Sequence, residues 1–438
     1  MKVLAVIFML LSATAMRAAD SADTLRLTVE QALEIALNEN LNIKIAGAEL
    51  ERVDYLKQEN WYALLPSVAA SGQYSNNIMK PVFFSDFFPG GKMEVGSTHS
   101  YTLSGTAQVP IFSMALYKNI EMSEIEIRAA LESARTTKLD LIQQVKNSFY
   151  GVVMMEESLE VLEQSFKNAM ESAENIRKMY EQGLASEYDK IRSDVAARNI
   201  SPTLTQARSG LELAKLQLKI LLSLPLSQEI SADGSFEQFS GQMLNYSAGI
   251  LDVDQNSNLK TMDIQLERLN KSFELIRSQR LPMLAGFANY QMQMQNEEFK
   301  LNKPWANSFA LGLSLQIPIF NKLSISLKEK QTKVGIRQLE YQRTLLKESL
   351  TLSAINSVNE MKRAGAQLKS DREAVEQAMK GYEISKVRYN TGAGTVLEMN
   401  DSEVALTRSR LNYTQTLYDF IKARNEYEKV IGKENLEK

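Results

Sequence analysis

The sequence predicts a mostly helical protein with a membrane β-barrel part, built from a duplicated helix–strand–strand–helix–helix unit. Three observations carry this prediction. A set of short motifs is written twice in the same order. Four segments alternate apolar with small or polar residues. Two helical stretches run for about 67 residues each, or ~100 Å at a rise of ~1.5 Å per residue.

The duplication is read directly from the residues. Leu50-Glu51-Arg52 recurs as Leu266-Glu267-Arg268, and Leu65-Pro66 as Leu281-Pro282, both at an offset of 216 residues. Val109-Pro110-Ile111-Phe112 recurs as Ile317-Pro318-Ile319-Phe320 at an offset of 208, and Tyr180-x-x-Gly183 as Tyr389-x-x-Gly392 at 209. One such match is ordinary chance; four in the same order mark a duplication. A shorter loop in the second hairpin accounts for the drop in offset.

Taken along the chain, residues 1–19 read as a secretory signal: Lys2, the apolar run 3–11, then a small-residue stretch with cleavage near Ala18 and Ala19. The run is well short of the ~20 residues that a membrane-spanning helix needs. The first repeat is expected over 20–222. It opens with a helical stretch at 29–65 that Pro66 stops, because proline lacks the N–H that the next turn requires. Strands follow at about 67–76 and 100–111, a long helix at 113–180, and a return helix at 186–222 after a glycine turn. Pro202 falls inside that return helix, where it should cost ~3 kcal/mol or bend it. Residues 223–253, with Pro225 and Gly234, read as an equatorial linker. The second repeat is expected over 254–438: an opening helix ending before Pro282, strands at 283–294 and 306–319, a long helix at 322–388 and a return helix at 395–431.

The strands point to a membrane. Phe309, Leu311, Leu313, Leu315 and Ile317 alternate with Ala310, Gly312, Ser314 and Gln316. Tyr101, Leu103, Gly105, Ala107 and Val109 alternate with Thr102, Ser104, Thr106 and Gln108. One apolar face and one small polar face suit a strand with lipid outside and water inside; the alternative is a half-buried soluble hairpin. Four strands cannot close a barrel, and an open edge in lipid would leave unpaired backbone groups costing several kcal/mol each. The chain must therefore associate. Three copies give a twelve-stranded barrel, whereas two give eight strands whose interior is filled by side chains. In the first long helix Val145, Phe149, Val152, Met155, Leu159, Leu162, Phe166, Ala169, Ala173, Ile176 and Tyr180 step by three or four, the spacing of a coiled-coil seam.

Composition narrows the function. Net charge is −3 and the basic residues are scattered, which argues against a nucleic-acid surface. The chain has no cysteine, so a disulfide, an Fe–S site and a lipid-modified N-terminus are excluded, and its one histidine, His99, reads as a surface loop residue. Phe83, Phe84, Phe87 and Phe88 form an aromatic group in the first hairpin loop, able to cap the outer mouth or to lie in the lipid interface. Trp61 and Trp305 are candidate interface anchors, with Trp61, close before Pro66, equally placed to pack at the junction of helix and barrel, and Met283, Met292 and Met294 do not make a copper site. There is no phosphate loop, nucleophile elbow or metal-ligand spacing, so no enzyme, cofactor or metal is expected and the energy for any transport must come from a partner.

The arrangement of these motifs resembles the TolC family of outer-membrane efflux and export proteins. The sharpest match is the second turn, Arg388-Tyr389-Asn390-Thr391-Gly392-Ala393-Gly394-Thr395-Val396-Leu397-Glu398-Met399-Asn400-Asp401, with a first copy from Met179 to Asp189. The resemblance implies a homotrimer, with a twelve-stranded barrel in outer-membrane lipid and a twelve-helix tunnel in the periplasm. It implies a passive exit duct of a tripartite efflux or type I secretion system. Its partners would be a periplasmic membrane-fusion adaptor and an inner-membrane pump of the RND or ABC type. The adaptor-docking tip then falls on Tyr180, Gly183, Leu184, Ala185, Ser186, Gly392, Ala393, Gly394 and Thr395. The gate falls on Glu398 and Asp401, and a Tyr–Asp link between neighbouring helices on Tyr389 and Asp189. Glu398 and Asp401 are three apart and share a helix face. In a trimer each becomes a ring of like charges, although acids in a first turn also simply offset the helix dipole. Gly394 stands where the family pattern has a basic residue, so the resemblance implies a latch that is either weaker or differently built. The rival reading is a soluble periplasmic coiled-coil adaptor or scaffold, which leaves the four alternating strands unexplained.

Overall fold

A computed structural model of the chain describes residues 24–84, 87, 90–234, 236, 252–320 and 323–433. The expected signal segment, Phe88 and much of the linker 223–253 lie outside the described residues. In chain order the elements are β1 (Leu25–Leu27), α1 (Val29–Glu39), α2 (Leu41–Tyr62), β2 (Ser67–Asn76), β3 (Val82–Phe84), β4 (Lys92–Glu94), β5 (His99–Phe112), α3 (Met114–Glu181) and α4 (Glu187–Leu222). Then come β6 (Ile230–Ala232), α5 (Ser257–Ser278), β7 (Met283–Asn296), β8 (Ala306–Gln316), α6 (Ser324–Asn390) and α7 (Val396–Val430). No described helix is long and apolar enough to cross a membrane.

The chain divides into two compact units. One comprises Met1–Ile45, Arg135–Asn256 and Lys347–Lys438; the other comprises Ala46–Ala134 and Ser257–Leu346. The helical unit holds β1, α1, α4, β6, α7 and most of α3. Its core gathers Val145, Phe149 and Val152 of α3, Ala32 and Ala36 of α1, Leu218 and Leu222 of α4, Met361 of α6 and Leu417 of α7. Of the seam expected on α3, Val145, Phe149, Val152, Leu162, Ala169, Ala173 and Ile176 are buried, Met155, Leu159 and Phe166 are partly buried, and Tyr180 at the turn is exposed. Thr28 caps α1 with a capping box: its hydroxyl accepts from the Gln31 amide at 3.4 Å, while its own amide donates to the Gln31 side chain at 3.0 Å.

One expectation changes here. The opening stretch of the first repeat is not one helix, because Asn40 interrupts it with an extended backbone (ψ 131°). Its buried side chain donates to the Leu221 carbonyl at 2.8 Å and accepts from the Asn42 amide at 2.8 Å. This tertiary bond, together with a cap on the following helix, outweighs one lost helical turn. Pro202 lies inside α4, as expected, and the helix is continuous from Glu187 to Leu222.

The other unit contains a four-stranded antiparallel sheet in the order β2-β5-β7-β8, two hairpins side by side. Ala70, Gly105, Tyr290 and Phe309 lie in register across it. Val68, Leu311, Leu313 and Leu315 on that face are all well exposed, Leu311 at 78%. The opposite face carries Ser71 and Ser104, whose hydroxyls are 2.7 Å apart. Phe287 lies across Gly312, where an added Cβ would sit 2.8 Å from its ring. Gly312→Val is thus expected to displace that ring and lower the melting temperature of the assembled barrel, measured as heat modifiability in detergent. His99 is not a loop residue but opens β5, with Nδ1 at 2.9 Å from the Tyr74 hydroxyl in an aromatic group with Tyr101 and Phe299. Phe83 and Phe84 lie on the small β3–β4 hairpin and are exposed. Near the start of α3, Lys118 and Lys271 each bridge Glu121 and Glu274 at 2.8–3.0 Å, tying α3 to α5.

Candidate functional site: the two helix turns

The site lies within the helical unit, where α3 turns into α4 and α6 turns into α7. Both turns follow one design. Gly183 and Gly392 each adopt φ +74°, the left-handed conformation that closes a helix without a Cβ penalty. At the first turn the Gly183 amide donates to the Tyr180 carbonyl at 2.9 Å and Leu184 to the Met179 carbonyl at 2.8 Å. At the second, Gly392 donates to Tyr389 at 3.0 Å and Ala393 to Arg388 at 2.8 Å. Both pairs of bonds satisfy carbonyls that the helix end would leave orphaned.

The return helices begin with caps. Ser186 accepts from the Asp189 amide at 3.0 Å, and its hydroxyl donates to the Asp189 carboxylate at 2.6 Å. Thr395 accepts from the Glu398 amide at 3.2 Å. Asp189 and Glu398 thus hold the same position in the two repeats, the third residue of a helix, where a carboxylate also favours the helix dipole. Lys190 lies over the Tyr180 ring at 4.9 Å. Leu184, Ala185, Gly392 and Ala393 bracket the turns, with Leu184 strongly exposed.

The gate candidates separate into pairs with different surroundings. Tyr389 is half-buried, and its hydroxyl donates to the Met179 sulfur at 3.8 Å. Burial first, and the nearby Asp189 carboxylate second, push its phenol up. Asp189 itself is engaged by Ser186 rather than by a direct tyrosine bond among the described contacts. Glu398 and Asp401 are exposed on the first turns of α7.

Two residues that sequence reasoning passed over belong to the site. Gly394 leaves room for the Arg388 side chain: a Cβ there would meet Arg388 Cβ at 3.0 Å and Glu398 Oε2 at 3.2 Å. Arg388 donates to the Ala393 carbonyl at 3.1 Å, and its guanidinium lies 3.6 Å from the Glu398 carboxylate. The basic group absent at 394 is thus present at 388, reaching across the turn. The second residue is Glu403 on α7, only 7% exposed, which accepts from the Ser165 hydroxyl of α3 at 2.9 Å. Its spacing from Glu398 and Asp401 gave no hint that it turns inward.

Paired turns thus close two long helical hairpins on a chain that also carries a four-stranded sheet with one exposed apolar face. The sequence profile of the outer membrane efflux protein family matches residues 32–222 and 253–433, and the chain belongs to that family. It is similar to the cobalt-zinc-cadmium resistance protein CzcC of Cupriavidus metallidurans, 20% identical over 413 residues, covering 93% of this chain and 90% of that protein. It is also similar to the outer membrane protein TolC of Vibrio cholerae, 19% identical over 368 residues, covering 77% and 82% respectively. Among solved structures, the CmeC outer membrane channel of Campylobacter jejuni shares the fold with a TM-score of 0.76 at 15% identity, covering 92% of this chain and 85% of that one. The outer membrane protein VceC of Vibrio cholerae does so at 0.72 and 14%, covering 92% and 96%.

Proposed function

We propose that the protein is the passive exit duct of a tripartite efflux or type I secretion machine, assembled as a homotrimer. The observation that carries this reading is the sheet. Its outer strands β2 and β8 have no partner beyond β5 and β7 among the described strands, and one of its faces is apolar and exposed. In hydrocarbon those edges must pair, and pairing β8 of one copy with β2 of the next closes twelve strands. The tip then presents three copies of each turn. Tyr180, Gly183 to Ser186 and Gly392 to Thr395 form the surface for a periplasmic adaptor, which couples the duct to an energised inner-membrane pump. Glu398 and Asp401 become stacked carboxylate rings that prefer cations and repel one another when drawn together. Tyr389, with Met179 and Asp189 beside it, holds the two hairpins in their packed arrangement.

Two measurements test this reading. Chemical crosslinking of outer-membrane fractions should trap a trimer; a protein that partitions wholly into the soluble periplasmic fraction as a monomer would sink the proposal. In planar bilayers, Glu398→Ala combined with Asp401→Ala should weaken block by divalent cations about tenfold or more, the scale set by losing ~1.4 kcal/mol of cation binding. Unchanged block removes the two residues from the gate.

A further inference from the structure

The geometry points to Glu403 as a proton-sensing closure residue: the contact between α7 and α3 strengthens when its carboxyl is protonated and loosens when it is ionised. This inference rests on the duct reading and adds a control to its tip. Glu403 lies just beyond the proposed carboxylate rings, but unlike them it is enclosed. Its partners are neutral: the Ser165 hydroxyl at 2.9 Å and the Asn168 side chain, both on α3. No described ion pair reaches it, although Arg192 of α4 and Arg408 and Asp401 of α7 line the same cavity of about 660 Å3. From α6 it is faced by Tyr382, whose phenol is pushed up by burial first, then by the Glu403 carboxylate, with Glu383 and Glu171 adding to this. One turn earlier on α7, the Asn400 side-chain amide nitrogen is buried without a hydrogen-bond partner and borders the same cavity. This stretch of the α7 contact therefore encloses two polar groups that water would serve better.

Burial pushes the Glu403 carboxyl above the usual carboxylate range, while the bonds from Ser165 and Asn168 pull it back. Swinging the α6–α7 hairpin away from α3 hydrates the carboxyl and returns it to that range. The packed arrangement therefore binds the proton more tightly than the separated one. Its stabilisation is complete below the ordinary carboxylate pKa and is lost as pH rises through the raised value. Acid favours closure, and rising pH favours release.

The test is single-channel conductance of the purified trimer in planar bilayers. The wild-type protein is expected to lose conductance several-fold as pH is lowered from the neutral range into the ordinary carboxylate range. Glu403→Gln, a neutral mimic of the protonated acid, should stay in the low-conductance state across that window. Any response from Glu398 and Asp401 persists in this variant, so the difference between the two profiles isolates Glu403. Ser165→Ala removes a bond that favours the ionised form and should move the midpoint to higher pH; it also carries the test if Glu403→Gln does not assemble. A Glu403→Gln profile that tracks the wild type, or a Ser165→Ala midpoint that does not move, overturns the inference while leaving the duct intact. Wild-type protein that forms a trimer but conducts at no pH overturns the duct reading and this control with it.

Discussion

Leu313→Arg is expected to keep the protein out of the outer membrane. Leu313 lies on the exposed apolar face of β8, paired with Gly286 of β7 and flanked along its strand by Leu311 and Leu315. A guanidinium at the bilayer midplane of a barrel costs ~2–4 kcal/mol. A trimer carries the substitution three times, so the penalty is comparable with the whole stability of an ordinary domain. The control is Ser308→Arg on the same strand, in register with Gln291 on the opposite, polar face. That variant should still assemble, with the new charge facing water. Flotation of membranes and heat modifiability compare the two. Equal recovery of both variants in the membrane would falsify the assignment of faces.

Phe149→Ala is the second large effect. Phe149 is 2% exposed, sits at the centre of the helical core and meets the Tyr150 ring edge-on with centroids 5.6 Å apart. Truncating a buried phenylalanine costs ~3–5 kcal/mol, through lost transfer energy and the cavity left behind. Loss of the α3 seam should appear as an earlier helical melting transition by far-ultraviolet circular dichroism, while the sheet's own transition holds its place. A single coincident shift of both transitions would instead show that the two units melt as one. Leu184→Ala, at an exposed turn, should leave both transitions where they are and weaken only adaptor capture.

Much of this architecture was legible in the residues because its signals are local and repeated. The period-two runs through Leu103 and Leu313, the three-and-four steps from Val145 to Tyr180, and the twin Tyr-x-x-Gly turns each report on a few neighbouring residues. The break at Asn40 was not legible, since its cause is a carbonyl at Leu221, far along the chain. Nor was the parallel pairing of β1 with β6, three residues on each side, too short to show a period. Pro202 was read inside the return helix, and that helix does run on through it, with Ala197, Leu204 and Leu211 buried on either side. At the site, glycine and acid positions could be read from the sequence, but Arg388 and Glu403 could not. An arginine beside a turn and an acid in a helix look like solvent-facing residues until their neighbours are known.

The β1–β6 bridge has a consequence for how the protein is made. Leu25 pairs with Ile230 and Leu27 with Ala232, so β1 waits for a partner some two hundred positions later. Leu27 and Ile230 are both buried in the helical core. A chain delivered N-terminus first cannot complete that core until Ile230, Met361 and Leu417 have all emerged. Until then Leu27 and its neighbours lack part of the apolar surface that encloses them in the finished core.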